Sequence, residues 1–319
     1  LYGERVAASL RARGMAVSTF AIPAGETTKT VETVASLWSA FLSSGIERGH
    51  AVIALGGGVV GDLTGFAAAT WLRGVRWIGL PTTLLAMVDS GLGGKTGADL
   101  PQGKNLIGAF HPPSLVLADT STLATLPASE LRCGLAEAIK HAVIGDPGLL
   151  DELPRFAFCA QSADNAPCTC LAESDWLASF VARAMAVKVR IIQQDPFEKG
   201  ARAALNLGHT IGHGIEKATD FAVRHGEAVA IGTVLEAQLA EALGLAQPGL
   251  AQQLAAHFAQ VGLPVTMPAG IDLTAVRAAM TLDKKKAGGE ILFAMPASIG
   301  DVRTGVAVSN ALLDRVLRA

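Results

Sequence analysis

The sequence has little of what marks a nucleic-acid-binding protein, a membrane protein or a secreted disulfide scaffold. Its formal net charge is −2 and its pI is near 6.4, so neither nucleic acid nor an anionic membrane surface is an expected partner. No run reaches the roughly 18 uninterrupted apolar residues of a membrane helix, and no charged-then-apolar leader opens the chain. We therefore expect a cytoplasmic protein.

Cysteine is scarce, with four in 319 residues, which is too few for a disulfide framework. Cys159, Cys168 and Cys170 lie in or beside the polar stretch AQSADNAPCTC. They lack the paired CxxC spacing of a structural zinc site. We interpret them as loop cysteines in an inserted segment rather than as metal ligands.

Hydrophobic residues are plentiful, at 50% of the chain, so a sizeable core can form, and the length suggests two domains. In the first 127 residues, short apolar or β-branched runs alternate with helical patterns. This alternation predicts an α/β domain with a mainly parallel sheet. The predicted strands are Val17–Ile22, Ala51–Leu55, Trp77–Leu80 and Val116–Ala118, and Val31–Ser43 is a predicted helix.

Beyond Pro127 the apolar residues recur with helical spacing, interrupted by prolines and glycines. We therefore predict a second, mainly α-helical domain over residues 128–319, after an α/β domain over residues 1–127. The predicted helices are Glu130–Ile144, Trp176–Gln194, Ala201–Ala218, Gly226–Ala242 and Gly249–Val261.

Three of the seven histidines lie in one short stretch of the helical part. His209 and His213 are four residues apart, so a helix presents both imidazoles on one face, and His225 follows closely. A single histidine is more often an ordinary surface or core residue than a ligand. Three together, with a carboxylate, predict a zinc site. Spacing alone favours His209 and His213 as the ligand pair.

The segment Gly56–Asp62, GGGVVGD, follows an apolar run and precedes a helical pattern. Its glycines would let backbone N–H groups approach a phosphate at a helix start. The acidic ribose ligand of a standard Rossmann site is absent about twenty residues later, where the chain reads RGVRWIGL. A phosphate-approaching loop is predicted, and a tight turn that needs glycine only for packing is the alternative.

Further polar residues follow the next predicted strand, between Pro81 and Phe110. Thr82 and Thr83 come directly after it, and Asp89 follows. Lys95 and Lys104 lie in the glycine-rich stretches GGKT and GKN, which we interpret as loops. Lysines held by such loops are suited to binding a phosphate or a carboxylate.

Several long stretches, in the same order and over nearly the whole chain, resemble the 3-dehydroquinate synthase family of sugar phosphate cyclases. The stretches are Pro23–Thr30, Gly56–Gly74, Pro81–Gly97, Gly103–Phe110, Gly134–Ile144, Arg202–His213, His225–Gly232 and Asp283–Lys285. Compared with that family, the chain, which begins at Leu1, is expected to lack an opening strand and hairpin.

The resemblance implies an NAD-binding N-terminal domain, a helical metal- and substrate-binding C-terminal domain, and a homodimer. It assigns a Zn²⁺ site, with Co²⁺ as the other candidate, to Glu137, His209 and His225, and moves His213 to the substrate. The implied NAD positions are Glu26, Lys29, Gly57, Gly58, Val59, Val60, Gly61, Asp62, Thr82, Thr83, Asp89, Lys95, Lys104, Thr122, Leu123, Ala124 and Thr125. The implied catalytic and substrate-binding positions are Arg73 (from the partner subunit), Asp89, Lys95, Asn105, Lys140, Lys188, Arg202, Asn206, His213 and one lysine of Lys284–Lys286, taken as Lys284.

The implied activity is a phosphate-eliminating lyase reaction of the shikimate pathway, which leads to aromatic amino acids. It converts 3-deoxy-D-arabino-heptulosonate 7-phosphate (DAHP) into 3-dehydroquinate and phosphate. The steps are transient NAD-dependent oxidation, β-elimination of phosphate, reduction, ring opening and aldol closure.

Three other functions stay open from the residues. They are a metal- and NAD-dependent polyol dehydrogenase, a related cyclase that makes a secondary-metabolite cyclitol, and a non-catalytic NAD- or zinc-binding protein. The lysine-rich stretches argue against a neutral polyol substrate.

Overall fold

The computed structural model describes residues 1–172, 175–198, 200–283 and 291–318 of the chain. The chain separates into an N-terminal unit, Leu1–Thr122, and a C-terminal unit, Leu123–Ala319. The domain boundary predicted between residues 127 and 128 lies close to this division, and its exact position stays a prediction. No helix in the described ranges is long and apolar enough to cross a membrane.

The N-terminal unit is built on a parallel three-stranded sheet. Its strands lie in the order β1 (Ala51–Gly56), β2 (Arg76–Pro81) and β5 (Leu115–Val116). Helix α3 (Gly58–Thr70) connects β1 to β2, because two parallel strands need a crossover connection. This is the parallel α/β architecture that the sequence predicts. The elements are α1 (Gly3–Arg11), α2 (Val31–Ser43), β1 (Ala51–Gly56), α3 (Gly58–Thr70), β2 (Arg76–Pro81), β3 (Lys95–Leu100), β4 (Gly103–Phe110) and β5 (Leu115–Val116).

Helix α2 packs on α3 through one apolar face. Val34, Leu37 and Phe41 recur at helical spacing and are buried against Leu63 and Phe66 of α3. The helix begins where Thr30 accepts a hydrogen bond from the Thr33 N–H at 3.3 Å, which satisfies one of its first donors. This packing sets the position of α3, which carries the glycine loop at its start.

Two predictions for the N-terminal unit are wrong. Val17–Ile22 is not a strand: it has the β-branched composition but pairs in no ladder among residues 1–172. Lys95 and Lys104 do not lie in loops, because β3 and β4 form an antiparallel hairpin in which Lys95 pairs with Phe110. Glycines at facing positions, Gly97 and Gly108, look like loop residues in sequence, yet they allow these two backbones to lie close together.

The C-terminal unit is mainly helical, as predicted. It is centred on α4 (Ala128–Gly145) and α8 (His225–Ala242), which are buried along most of their length. A helix that is buried on all sides lies in the middle of a bundle. The unit also contains a β-hairpin that the sequence analysis did not predict. Its elements are α4 (Ala128–Gly145), α5 (Ala157–Ala160), α6 (Asp175–Gln194), α7 (His209–Ala218), α8 (His225–Ala242), α9 (Leu250–Gln260), α10 (Leu273–Asp283), β6 (Leu292–Ser298), β7 (Asp301–Ala307) and α11 (Asn310–Leu317).

The cysteines interpreted as loop residues include a bonded pair that was not predicted from the sequence. Cys159 and Cys170 form a disulfide across eleven residues, and Cys168 is buried with a free thiol. The segment that they enclose packs on the start of α4, where the Arg132 guanidinium donates to the Ala160 carbonyl at 2.8 Å and pairs with Asp164. Sequence spacing missed this pair because the two cysteines meet only after the segment folds back.

Candidate metal centre and nucleotide loop

Glu137, His209 and His225 meet in the C-terminal unit, each from a different helix. Glu137 lies in the middle of α4 and is fully buried, whereas the two histidines are the first residues of α7 and α8. Their candidate ligand atoms all lie within 4.8 Å of one another. One carboxylate and two imidazoles form a donor set that suits Zn²⁺.

The spacing of these atoms fits a tetrahedral cation. The Glu137 Oε1 atom is 3.1 Å from His225 Nε2 and 3.4 Å from His209 Nε2. Ligand atoms bound at zinc distances on a tetrahedron lie roughly 3.3 Å apart. The other carboxylate oxygen of Glu137 pairs with the buried ammonium of Lys140, one helical turn further along α4. Oε1 therefore faces the two imidazoles.

The two imidazoles differ in protonation. Burial, with the nearby Lys140 ammonium, holds the pKa of His209 well below its ordinary value. Burial also disfavours the charged form of His225, but hydrogen bonds to Glu137 and Glu216 outweigh it and raise the His225 pKa to about 10. A cation that binds here must displace this proton, because metal ligands bind in their deprotonated form.

Each imidazole has a second partner on its other nitrogen. His209 Nδ1 is 2.9 Å from the Leu207 carbonyl, and His225 Nδ1 is 3.4 Å from Glu216 Oε2. A carbonyl acceptor on Nδ1 leaves Nε2 of His209 free to bind a cation. Glu216 was not predicted to belong to the site. Its position on α7, three residues after His213 and so on the same face, was the available signal.

The turn before His209 is held by a buried carboxylate that was also missed. Gly208 has φ 78° and donates its N–H to Glu236 Oε2 of α8 at 2.5 Å. A Cβ at Gly208 would lie 2.7 Å from the Val229 carbonyl oxygen. Glycine is required here by both the left-handed backbone and the close approach of α8.

His213 lies beside the cluster but is more exposed. Its ring centroid is 5.2 Å from that of His209 and 6.2 Å from that of His225. With Glu216 and His225 it forms a second group whose ligand atoms lie within 4.8 Å of one another. No described group contains the pair His209 and His213 together, the pair that spacing alone favoured.

Three of the residues predicted to bind substrate in the C-terminal unit, Lys188, Arg202 and Asn206, lie on α6 or before α7. Arg202 is buried in a 3₁₀ turn, Ala201–Asn206, and its guanidinium donates to the Pro196 carbonyl at 2.8 Å. This turn and α7 replace the single helix predicted over Ala201–Ala218, because Gly208 interrupts it. Lys188 is buried on α6. Lys284 lies outside the described residues.

Asn206 contacts Glu198, a residue that was not predicted to belong to the site. The Nδ2 atom of the Asn206 side chain donates a hydrogen bond to Glu198 Oε1 at 3.5 Å. Glu198 has φ 57°, a left-handed conformation that is uncommon for a residue other than glycine and is often retained at functional sites. In the sequence, only its proximity to Arg202 could have pointed to Glu198.

The glycine loop of the N-terminal unit begins α3, as predicted. A Cβ at Gly58 would lie 2.8 Å from Ser90 Oγ, and one at Gly57 would lie 3.1 Å from Thr83 Cγ2. These two glycines thus serve close packing. Gly61 is different, because a Cβ there would meet nothing within 4 Å. The first N–H groups of a helix have no acceptor within the helix, so a helix start of this kind is suited to an anion.

A buried ion network lies next to the loop. The Lys29 ammonium is 2.6 Å from Asp62 Oδ2 of α3 and 2.6 Å from Asn105 Oδ1 of β4. Burial disfavours the charged lysine, but attraction to Asp62 outweighs it and raises the Lys29 pKa. Asn105 has φ 55°, and its N–H donates to Asp99 Oδ1 at 2.7 Å. The structure therefore brings together Lys29, Asp62 and Asn105, which are far apart in sequence.

The other predicted residues of the N-terminal unit lie on several of its elements. Thr82 donates its N–H to the Gly56 carbonyl at 2.9 Å, and the Lys104 ammonium is 3.4 Å from Glu26 Oε1. Asp89 lies in a π-helical turn, Ala86–Ser90, a rare geometry that often occurs at functional sites. Lys95 and Arg73 are exposed, at the start of β3 and at the end of the turn after α3.

The predicted nucleotide turn lies at the division of the chain. Thr122 belongs to the N-terminal unit, and Leu123, Ala124 and Thr125 belong to the C-terminal unit. Thr122 donates its hydroxyl to the Asp119 carbonyl at 2.7 Å, and Leu123 is fully buried. All four lie in one 3₁₀ segment, Thr120–Thr125.

A glycine loop at a helix start in one unit and a carboxylate–imidazole cluster in the other are the features expected of a nucleotide- and metal-dependent enzyme. Comparison with known proteins identifies the family. Sequence profiles described as 3-dehydroquinate synthase N-terminal and C-terminal match residues 19–133 and 134–286. A 3-dehydroquinate synthase from Synechococcus is 45% identical over 319 residues, which cover 100% of this chain and 85% of that protein.

Two solved structures share the fold. One is a 2-epi-5-epi-valiolone synthase from Streptomyces hygroscopicus with NAD⁺ and Zn²⁺ bound, at TM-score 0.87 and 32% identity over 99% of this chain and 86% of that one. The other is a 2-deoxy-scyllo-inosose synthase complexed with carbaglucose-6-phosphate, NAD⁺ and Co²⁺, at TM-score 0.85 and 27% identity over 99% and 86%. The chain belongs to the 3-dehydroquinate synthase family. The family resemblance and the two-part fold class are confirmed.

Proposed function

We propose that the chain is a 3-dehydroquinate synthase, an NAD- and divalent-metal-dependent lyase that converts DAHP into 3-dehydroquinate and phosphate. Its relatives of that name match the chain from end to end. The structural observation that carries the proposal is the Glu137–His209–His225 cluster, whose oxygen-to-nitrogen distances of 3.1 and 3.4 Å suit a tetrahedral cation.

The residues present fit both groups that the family uses. Glu137, His209 and His225 would hold Zn²⁺ or Co²⁺, and the start of α3, with open space at Gly61, would receive the NAD pyrophosphate. When bound, NAD supplies a hydride acceptor that is restored in the same turnover, and the cation supplies Lewis acidity.

The chain's own residues account for binding a substrate with two anionic groups. Arg202 has a planar guanidinium that can bind a phosphate or carboxylate in a bidentate manner, and Lys188 adds a second buried cation. Lys95 and a lysine of Lys284–Lys286 are assigned the same role. A neutral polyol substrate would need no such set of cations.

We assign hydrogen bonding to the substrate hydroxyl groups, and proton transfer, to residues around the metal cluster. His213 and Asn206 can donate hydrogen bonds to substrate hydroxyls and relay protons, and the Lys140 ammonium pairs with the Glu137 carboxylate. The departing phosphate accepts the proton from the neighbouring carbon, so no separate base is required for the elimination.

We include a homodimer and a cytoplasmic location in the proposal. Arg73 is the residue assigned to the partner's site. It is exposed and has φ 68° at the end of the turn after α3, so its side chain is available to a second subunit. Measurement of the oligomeric state, together with complementation between an Arg73→Ala subunit and a metal-site variant subunit, tests this assignment.

The decisive assay measures phosphate release from DAHP with a catalytic amount of NAD⁺, with and without a chelator. The proposal expects phosphate release that stops on chelation, with no accumulation of NADH. Steady NADH accumulation without phosphate would instead identify a dehydrogenase. Phosphate release only from other sugar phosphates would identify a related cyclase.

A further inference from the structure

His225 lies between two carboxylates from different helices. Its Nε2 atom is 3.1 Å from Glu137 Oε1 on α4, and its Nδ1 atom is 3.4 Å from Glu216 Oε2 on α7. An imidazole that binds a cation through Nε2 carries its proton on Nδ1, and the acceptor of that proton determines the tautomer and the orientation of the ring. Glu216 occupies the position of such an acceptor.

The location of Glu216 connects the two histidine-bearing helices. It lies seven residues after His209 on α7, and therefore on the same face of that helix, and its side chain is only 8% exposed. His225 is the first residue of α8, where no preceding helical turn restrains its ring. A contact from α7 therefore supplies an orientation that α8 cannot supply by itself.

Glu216 could alternatively be a ligand itself, since His213, Glu216 and His225 form a second candidate group. Two observations favour Glu137 instead. Glu137 is fully buried and its Oε1 atom faces both imidazole Nε2 atoms, whereas His213 is exposed. The contact of Glu216 is to Nδ1, the nitrogen that does not face Glu137.

We propose that Glu216 is a positioning residue for the metal centre: it accepts the Nδ1 proton of His225 and holds the ring so that Nε2 points to the cation. This inference rests on the metal site of the proposed function. Partners of this kind typically contribute tenfold to a hundredfold in metal affinity.

The test is Co²⁺ titration of metal-free protein, followed by its visible absorption, for the wild type, Glu216→Gln and Glu216→Leu. A glutamine keeps the shape and a weaker, neutral acceptor, whereas leucine removes the acceptor. We expect both variants to bind one Co²⁺ with a retained tetrahedral spectrum, with about tenfold weaker affinity for Glu216→Gln and up to a hundredfold for Glu216→Leu.

Glu241→Gln is the matched control, because Glu241 accepts the Ala251 N–H at 2.8 Å in the same unit and has no contact with a histidine among the described residues. Its Co²⁺ affinity should equal that of the wild type. If Glu216→Leu does not fold, the isosteric Glu216→Gln decides by itself. Wild-type affinity in the Glu216 variants overturns the proposal. So does loss of stoichiometric Co²⁺ in Glu216→Gln together with its retention in Glu137→Gln, which would make Glu216 a ligand.

The titration needs no substrate. A chain that shows this dependence on Glu216 but releases no phosphate from DAHP contradicts the proposed function and leaves the positioning role intact.

Discussion

The two units carry their candidate sites in different ways. The candidate nucleotide loop of the N-terminal unit is made of backbone at one helix start, with its glycines within a few residues of one another. The metal centre of the C-terminal unit is made of side chains from α4, α7 and α8, with Glu137 and His225 88 residues apart. A backbone site depends on local glycines, whereas a side-chain site depends on how helices pack.

This difference predicts which changes each site tolerates. The C-terminal centre should fail when a ligand is lost or when α4 and α8 are pushed apart. The N-terminal loop should keep its fold when glycine is replaced where space is open.

The largest effect is expected at the metal ligands. His209→Ala removes one of two imidazoles, so Co²⁺ or Zn²⁺ affinity should fall by at least about a hundredfold and nearly all activity should be lost. His257→Ala, on α9 of the same unit, is the control and should keep one metal per chain. Metal content after dialysis against a weak chelator is the measurement. Stoichiometric metal with normal turnover in His209→Ala would show that the ligand assignment is wrong.

A glycine pair compares the two units directly. A Cβ at Gly226, beside His225, would collide with Cys133 Cα of α4, so Gly226→Ala should cost roughly 3 kcal/mol of unfolding free energy. Gly61→Ala meets open space and should change stability by less than about 1 kcal/mol, while weakening NAD binding. Urea unfolding and NAD titration measure the two. Equal stability losses would remove the proposed distinction between the units.

A buried ion pair tests the N-terminal unit. Lys29→Met leaves the Asp62 carboxylate without its ammonium partner, with side chains 5% and 19% exposed in the pair. We expect a loss of about 2 kcal/mol, because an unpaired, partly buried charge remains. The double variant Lys29→Met with Asp62→Leu should recover much of that loss. Urea unfolding measures both variants, and a double variant no more stable than Lys29→Met would contradict this interpretation.

The smallest effect concerns thiol reactivity in the C-terminal unit. Burial, with the neighbouring Glu130 carboxylate, raises the Cys133 pKa to about 12. At pH 8 its thiol is therefore protonated, and iodoacetamide should leave folded protein unmodified at this residue. Unfolded, unreduced protein should take up two alkyl groups, at Cys133 and Cys168, and reduced protein four. Mass spectrometry counts them, and four groups without reduction would show that Cys159 and Cys170 are not bonded.

Much of the fold could be predicted because local pattern and tertiary environment agree. Helix α2 has the predicted bounds, and β1, β2 and α8 lie within a residue of theirs, since their apolar periodicity matches the side that they bury. The β3–β4 hairpin could not be predicted in the same way. Its glycines look like loop residues until a partner strand lies against them.

The residues of the metal site also divide into those that could be predicted from the sequence and those that could not. Periodicity placed His209 and His213 on one helix face, with His225 in the same histidine-rich stretch. Family resemblance, not spacing, brought in Glu137 and moved His213 from the metal to the substrate. Glu216, Glu236 and Glu198 were missed, because a single carboxylate on a helix or loop carries no local sign of the group that it will contact.

The sequence by itself determined the two-part architecture, the glycine loop at a helix start and the stretch of three histidines, because each depends on neighbours within a few residues. Only the tertiary structure decided which imidazoles share a carboxylate, which carboxylates orient them and which cysteines pair. Those contacts join helices and segments far apart in the chain. They depend on packing distances that local periodicity does not encode.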